Sequence, residues 1–224
     1  ANGRIIFIEN YSSSPTIREI KTNFQEFNYT VEGRNSYFNS PIRDILVSND
    51  YLYVVYFNKF DVSIGPKKHM IVTKQNSHIV RGKLDENLGS IKFEKFFYPN
   101  EYIEHYGGQG HAGGRLVEYK DDYFLMAHPD YYITGDAREI YKIQDPNSNF
   151  GKLLKINMKG ESSLFSIGHR NTQGLFYDKK NDQVFSTEHG PTGGDEINLV
   201  IEGGNYGWPT TSIGVEIGIT KFTD

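Results

Sequence analysis

Short apolar runs separated by small polar turns recur along this chain, and no apolar stripe keeps a helical period for long. Arg4 to Glu9 (RIIFIE) reads as a first strand, and Ile17 to Ile20 begins a second. Pro41 to Val47, a turn at Ser48-Asn49-Asp50 and Tyr51 to Phe57 form a hairpin. Met70 to Thr73 and Ile91 to Phe96 read as outer strands, with a turn at Asp85 to Asn87 between them. Gly114 to Tyr119, a turn at Lys120 to Asp122 and Tyr123 to Ala127 repeat the hairpin pattern. Gly151 to Met158 is a further strand. Gly174 to Tyr177 and Val184 to Thr187 flank a turn at Lys179 to Asp182, and Asn198 to Ile201 follows.

The hairpin anchors Ile45, Leu116 and Leu175 lie 71 and 59 residues apart. Four-stranded units at somewhat over ~45 residues, stretched by inserted loops, predict an all-β protein, a β-propeller with about four blades in this chain. Its 224 residues read as a single domain, 1–224, and as part of a larger ring. The structural alternative is a β-sandwich, whose strands come at a tighter ~8–12-residue spacing. Composition points the same way. The 16 Tyr, 15 Phe and 23 Gly favour strands and turns over helices.

Charge and cysteine usage narrow the function. The formal net charge is -4 and no Lys/Arg block stands out, which argues against nucleic-acid or anionic-membrane partners. No apolar run approaches the ~20 residues of a membrane span. The absence of cysteine removes disulfides, thiolate catalysis and Cys-bound zinc together.

Chemistry concentrates between Gly168 and Pro209. His169-Arg170-Asn171 precedes one strand, and Glu188-His189-Gly190-Pro191 follows its partner. A hairpin with a structural role alone has no need of such tips. The motifs GHRNTQGL, TEHGPTGGDEIN and GGNYGWP, with HAGGRLV at His111 to Val117 upstream, together resemble the soluble glucose/sorbosone dehydrogenases, the quinoprotein aldose dehydrogenases. The likeness is strong over Gly108 to Pro209 and weak over residues 1–100.

The resemblance implies a six-bladed propeller that holds pyrroloquinoline quinone (PQQ) and Ca²⁺ and oxidises the anomeric hydroxyl of an aldose to a lactone. It implies a sugar substrate, an external electron acceptor and a periplasmic or secreted location. His111 matches the general base, and Arg170 the residue that stabilises charge developing on the quinone oxygen. Asn171 and His189 match cofactor contacts, and Gly190 and Pro191 match positions whose carbonyls ligate Ca²⁺. Asp130, after the strand that follows the His motif, matches the carboxylate that orients His111; Asp136, in a Gly-Asp pair further on, is the alternative. The family's remaining cofactor-clamping Lys and Arg residues fall after the NYGWP motif. This chemistry is physically coherent: a guanidinium and a metal aimed at a carbonyl that gains negative charge lower the barrier, and imidazole suits a base near neutral pH.

Other polar groups carry structural readings. Glu188 holds loops together, and Asp195-Glu196 is a turn whose carboxylates accept backbone N–H groups. Trp208 and Tyr206 pack near a blade edge, with sugar stacking by Trp208 as the other possibility. His69, His78, His105 and His128 show no metal-ligand spacing. Two other functions fit the scaffold: a non-catalytic propeller that serves as a binding module, and a Ca²⁺-dependent lactonase-like hydrolase, which Arg170 and His111 fit less well.

Overall fold

The structure, a computed structural model, describes residues 4–10, 12–27, 42–64, 70–105, 111, 113–131, 140–212 and 214. Strands β1 (Ile5–Glu9) and β2 (Thr16–Thr22) pair antiparallel. β3 (Ile42–Ser48), β4 (Tyr51–Ile64) and β5 (Met70–Lys83) form a meander. β6 (Ser90–Ile91) adds to β2 in parallel, whereas β7 (Phe93–Phe97) returns to β5. β8 (Ile103–His105) pairs with β5 further along. β9 (Leu116–Tyr119), β10 (Tyr123–His128), β11 (Lys152–Asn157) and β12 (Ser162–Ile167) make a second meander. β13 (Thr172–Asp178), β14 (Gln183–Glu188) and β15 (Glu196–Val200) make a third.

Turn chemistry sets these hairpins. Asn49 and Asp50 both take left-handed backbone, with φ of 47° and 62°, between the paired residues Ser48 and Tyr51. Such a two-residue turn matches the twist of its strands, and Asn and Asp tolerate the conformation. In the β13–β14 turn the Asp178 carboxylate accepts the backbone N–H groups of Lys180 and Asn181.

Apolar cores separate successive sheets. Ile20 and Phe24 meet Val54, Tyr56 and Val80 between the first sheet and the β3–β7 sheet. Tyr53, Val55 and Ile79 meet Leu116, Phe124, Met126 and Leu154 on the opposite face of that second sheet. Leu125, Leu153 and Phe165 meet Val184 and Val200 at the next boundary. Strand alternation explains this: Val54 and Val55 point to opposite faces and each enters a different core. The fold is thus a serial stack of sheets with a core at every boundary, not the two layers of a sandwich.

The first strands β3, β9 and β13 lie beside one another, as the inner strands of propeller blades do. Polar bonds tie them. The Asp44 carboxylate accepts the Leu116 N–H at 2.9 Å, and Arg115 Nε donates to the Gln173 carbonyl at 2.5 Å. Gly114, at φ 89°, allows this approach, because a Cβ there would lie 2.9 Å from the Arg43 Cβ.

Two strand readings change. β4 and β5 run for 14 residues each, so Met70–Thr73 is the start of a long ribbon and not a separate outer strand. Beyond Phe57 the ribbon continues by pairing, from Asn58 with Asn76 to Ile64 with Met70. β12 was not foreseen, because its serine-rich SSLFSI carries a weak apolar signal. Pro41, His69 and the alternative carboxylate Asp136 lie outside the described residues.

Candidate active site

Antiparallel pairing brings the polar tips to one end. β9 starts where β10 finishes, and β13 starts where β14 finishes, so residues 111, 113–115, 128–131, 168–171 and 188–195 gather there. Gly113 lets the His111 segment cross this end: a Cβ on it would lie 3.1 Å from both the Pro129 Cβ and the Thr172 carbonyl.

His111 and Asp130 meet directly. His111 Nδ1 lies 2.6 Å from Asp130 Oδ1, with the carboxylate fully buried and the imidazole 12% exposed. A carboxylate only accepts, so Nδ1 carries the proton and the lone pair falls on Nε2. The second oxygen, Asp130 Oδ2, accepts the indole N–H of Trp208 at 2.9 Å. The Asp130 backbone N–H donates to the Arg170 carbonyl at 2.9 Å, which links this dyad to the β12–β13 loop.

Arg170 is buried and lies with its guanidinium 5.0 Å from the centre of the Trp208 ring. Its Nη1 donates to the carbonyls of His189 and Gly190, both at 2.8 Å. Asn171 Oδ1 accepts from Gln173 Nε2 at 2.7 Å and from the Gly113 N–H at 3.4 Å. The structure therefore joins His111, Asp130, Arg170 and Asn171 in one cluster. His189 is at its edge, exposed, with Nδ1 3.5 Å from Asp195 Oδ2.

The Gly190-Pro191 turn is tight. A Cβ on Gly190 would overlap the Gly194 carbonyl, and the Pro191 carbonyl accepts the Gly194 N–H at 2.7 Å. Asp195 accepts the Gly190 N–H at 3.1 Å, as its turn reading expects. Each of the two carbonyls expected to face calcium thus already accepts one hydrogen bond and keeps one lone pair. Two neutral oxygens fall short of the six to eight that Ca²⁺ takes. Among the described residues no group of three His, Asp or Glu side chains is placed to hold a metal.

Two sets of buried polar residues support this end, and the roles of Ser166, His169 and Lys152 in them were not foreseen. Behind Arg170, His169 Nδ1 lies 2.5 Å from Glu188 Oε1, and Ser166 Oγ lies 2.8 Å from His169 Nε2. Glu188 Oε2 accepts the Arg170 N–H at 3.0 Å. Burial alone would raise the Glu188 carboxyl, but His169, the Arg170 amide and the Ser186 hydroxyl outweigh it and hold the group below its ordinary range. Glu188 does hold loops together, and the residue it serves is Arg170. The second set centres on Lys152, whose ammonium donates to the carbonyls of Lys142, Ile143 and Phe150. Burial pushes it down to about 8. Gln144, on the segment that Lys152 holds, bonds Asn205 and the Trp208 carbonyl. Trp208 is therefore more than packing: it touches both the carboxylate and the guanidinium of the cluster.

Residues 42–224 match the sequence model of the glucose/sorbosone dehydrogenase family. The chain is 37% identical over 240 aligned residues to quinoprotein glucose dehydrogenase B of Acinetobacter calcoaceticus, covering 95% of this chain and 47% of that protein. It is 33% identical over 119 residues to an aldose sugar dehydrogenase of Escherichia coli, 47% of this chain and 30% of that one. The structure of the PQQ-bound form of aldose sugar dehydrogenase from Streptomyces coelicolor aligns over 94% of this chain and 57% of its own, with a TM-score of 0.63 at 22% identity. The chain spans about half or less of the length of these curated relatives. By its sequence and its propeller fold, the chain belongs to the glucose/sorbosone dehydrogenase family.

Proposed function

We propose that this end of the propeller oxidises the anomeric hydroxyl of an aldose to the lactone, with PQQ as electron acceptor. The observation that carries the reading is the 2.6 Å contact between His111 and Asp130 in the same cluster as the buried Arg170. When bound, the quinone supplies the two-electron acceptor for the hydride that leaves the anomeric carbon. His111 Nε2 takes the hydroxyl proton, and Asp130 holds the tautomer that makes this nitrogen the base. The Asp130 carboxylate also stabilises the imidazolium that results. Arg170 places fixed positive charge beside the region where negative charge develops.

The donor set suits an anionic quinone. Arg170 offers a guanidinium, and the Asn171 amide nitrogen makes no hydrogen bond among the described residues. His189 adds an exposed imidazole. Calcium is a weaker fit. Among the described residues it is offered the remaining lone pairs of the Gly190 and Pro191 carbonyls, the first of which already accepts from Arg170, and no step is assigned to it. A periplasmic or secreted location and an external electron acceptor accompany this reading.

Purified protein incubated with PQQ and Ca²⁺ should reduce an artificial acceptor in the presence of aldoses. His111→Ala should lower turnover by roughly 10²–10⁴, the range for losing a general base, while quinone binding is kept. Full turnover in that variant would remove His111 from the role. A protein carrying all the blades of its relatives that bound no quinone would favour a non-catalytic binding module.

A further inference from the structure

We infer that Trp208 is a positioning residue that couples the His111–Asp130 dyad to Arg170. The inference rests on the sugar-oxidation reading for its meaning and on geometry alone for its substance. The indole N–H occupies Asp130 Oδ2 at 2.9 Å, while Oδ1 of the same carboxylate holds His111 at 2.6 Å. The two bonds share one negative charge. A donor on Oδ2 withdraws charge from Oδ1, so the strength of the Asp130–His111 bond is set partly from the Trp208 side. The ring of the same indole carries the Arg170 guanidinium at 5.0 Å. One rigid side chain therefore fixes the spacing between a proton-accepting group and a cationic one.

The backbone around Trp208 is built to hold it. The Trp208 N–H donates to the Gly168 carbonyl at 3.1 Å, and Gln144 Nε2 donates to the Trp208 carbonyl at 2.5 Å. Asn205 pairs in parallel with Ile167 and donates to Gln144 Oε1 at 2.8 Å. Gly168, at φ 79°, makes room: a Cβ there would lie 2.5 Å from Asn205 Oδ1 and 2.6 Å from the Gly207 nitrogen. Two motif segments thus interlock, the Gly of GHRN and the Asn-Tyr-Gly-Trp stretch, with Trp208 at 4% exposure as the product. A residue that served only to fill space would not need its one polar atom aimed at the carboxylate that orients His111.

The test replaces Trp208 in the full chain by benzothienylalanine, which keeps the bicyclic shape and lacks the N–H, with Trp208→Phe as the genetically encoded companion. Proton NMR of the quinone-free protein is read at the downfield imidazole N–H resonances of the two carboxylate-bound histidines. The resonance that disappears in His111→Gln belongs to His111, and that of His169 serves as an internal reference for folding. Loss of the indole donor should move the His111 resonance downfield, as Oδ1 becomes the stronger acceptor, and leave the His169 resonance in place. An unmoved His111 resonance overturns the inference, and so does an equal movement of both, which marks a general structural effect. In protein reconstituted with PQQ and Ca²⁺, the Phe variant should lose about tenfold in kcat with the sugar KM within twofold. A raised KM at unchanged kcat would make Trp208 a sugar contact and overturn the positioning role. If the wild-type protein turns over no sugar, the dehydrogenase reading fails and the NMR comparison still decides the coupling.

Discussion

His111–Asp130 and His169–Glu188 are the same chemical object, an imidazole Nδ1 held by a buried carboxylate at 2.6 and 2.5 Å. What surrounds the ring separates them. His111 lies ahead of β9 at the open end and keeps 12% of its side chain exposed, against 1% for His169. His169 is covered by Tyr206, stacked at 4.7 Å, and its Nε2 takes the hydroxyl of Ser166. A carboxylate that fixes a histidine tautomer can therefore make a base or a brace. Which one results depends on whether the ring reaches the open end of the sheets or is sealed beneath it.

The sharpest way to break this comparison is to remove each pair in turn. Glu188→Ala strips the acceptor from His169, from the Arg170 N–H and from Ser186, all within the interior. Uncompensated buried polar groups of this kind cost about 3–5 kcal/mol, so the variant should unfold at distinctly lower urea concentration. His111→Gln keeps a donor for Asp130 at a site that reaches solvent, and its stability should stay within about 1 kcal/mol of wild type. Similar losses in both variants would mean that the open pair is also a brace.

Two further histidines extend the comparison to rings with no carboxylate partner among the described residues. His78 and His128 are buried, and burial pushes them down to about 4 and about 3, aided by Lys95 and Lys152 respectively. Both are neutral in the fold at neutral pH, while the unfolded chain takes up protons from about pH 6.5 downwards. The unfolded state then binds more protons, and stability falls as pH drops from about 6.5 towards 4. The slope is at most about 1.4 kcal/mol per pH unit for each ring. Urea titrations at pH 7 and pH 5 should show the loss. His128→Gln, whose amide can still donate to Asn76 as the His128 Nε2 does at 2.7 Å, should flatten the slope. An unchanged slope would mean that other groups set the acid limb.

These contrasts also mark what the sequence could convey. Turns were legible because Asn49-Asp50 and the Asp178 turn carry their conformation locally. The His111–Asp130 contact was expected from the family resemblance, which puts a carboxylate at the end of the strand after the His motif, and not from local pattern. Trp208 was not: its bond to Asp130 crosses 78 residues and exists only once the segment after β15 docks on Gly168. His169 stood beside Arg170 in the most conspicuous motif, and nothing local announced that its ring faces inward to Ser166. Lys152 sits in an apolar strand, and a lysine there reads as solvent-facing until three carbonyls are found converging on it. Neighbours along the chain reveal turns, whereas the burial of a polar group is decided by distant partners.

The smallest test isolates the far nitrogen of the sealed pair. Ser166→Ala removes the hydroxyl that donates to His169 Nε2 at 2.8 Å and leaves the Glu188 contact untouched. The buried nitrogen then lacks a partner, at an expected loss of about 1–2 kcal/mol in stability. No route leads from this hydroxyl to a substrate, because Ser166 is fully buried on β12 beneath the His169 ring. Turnover in the reconstituted protein should stay within about twofold, with the loss confined to the urea midpoint. The opposite pattern, lowered kcat at unchanged stability, would show that the sealed histidine communicates with the reaction through Arg170. The distinction between base and brace would then fail, because the hydrogen-bonded chain from Ser166 through His169 and Glu188 to the Arg170 N–H would be part of the catalytic apparatus.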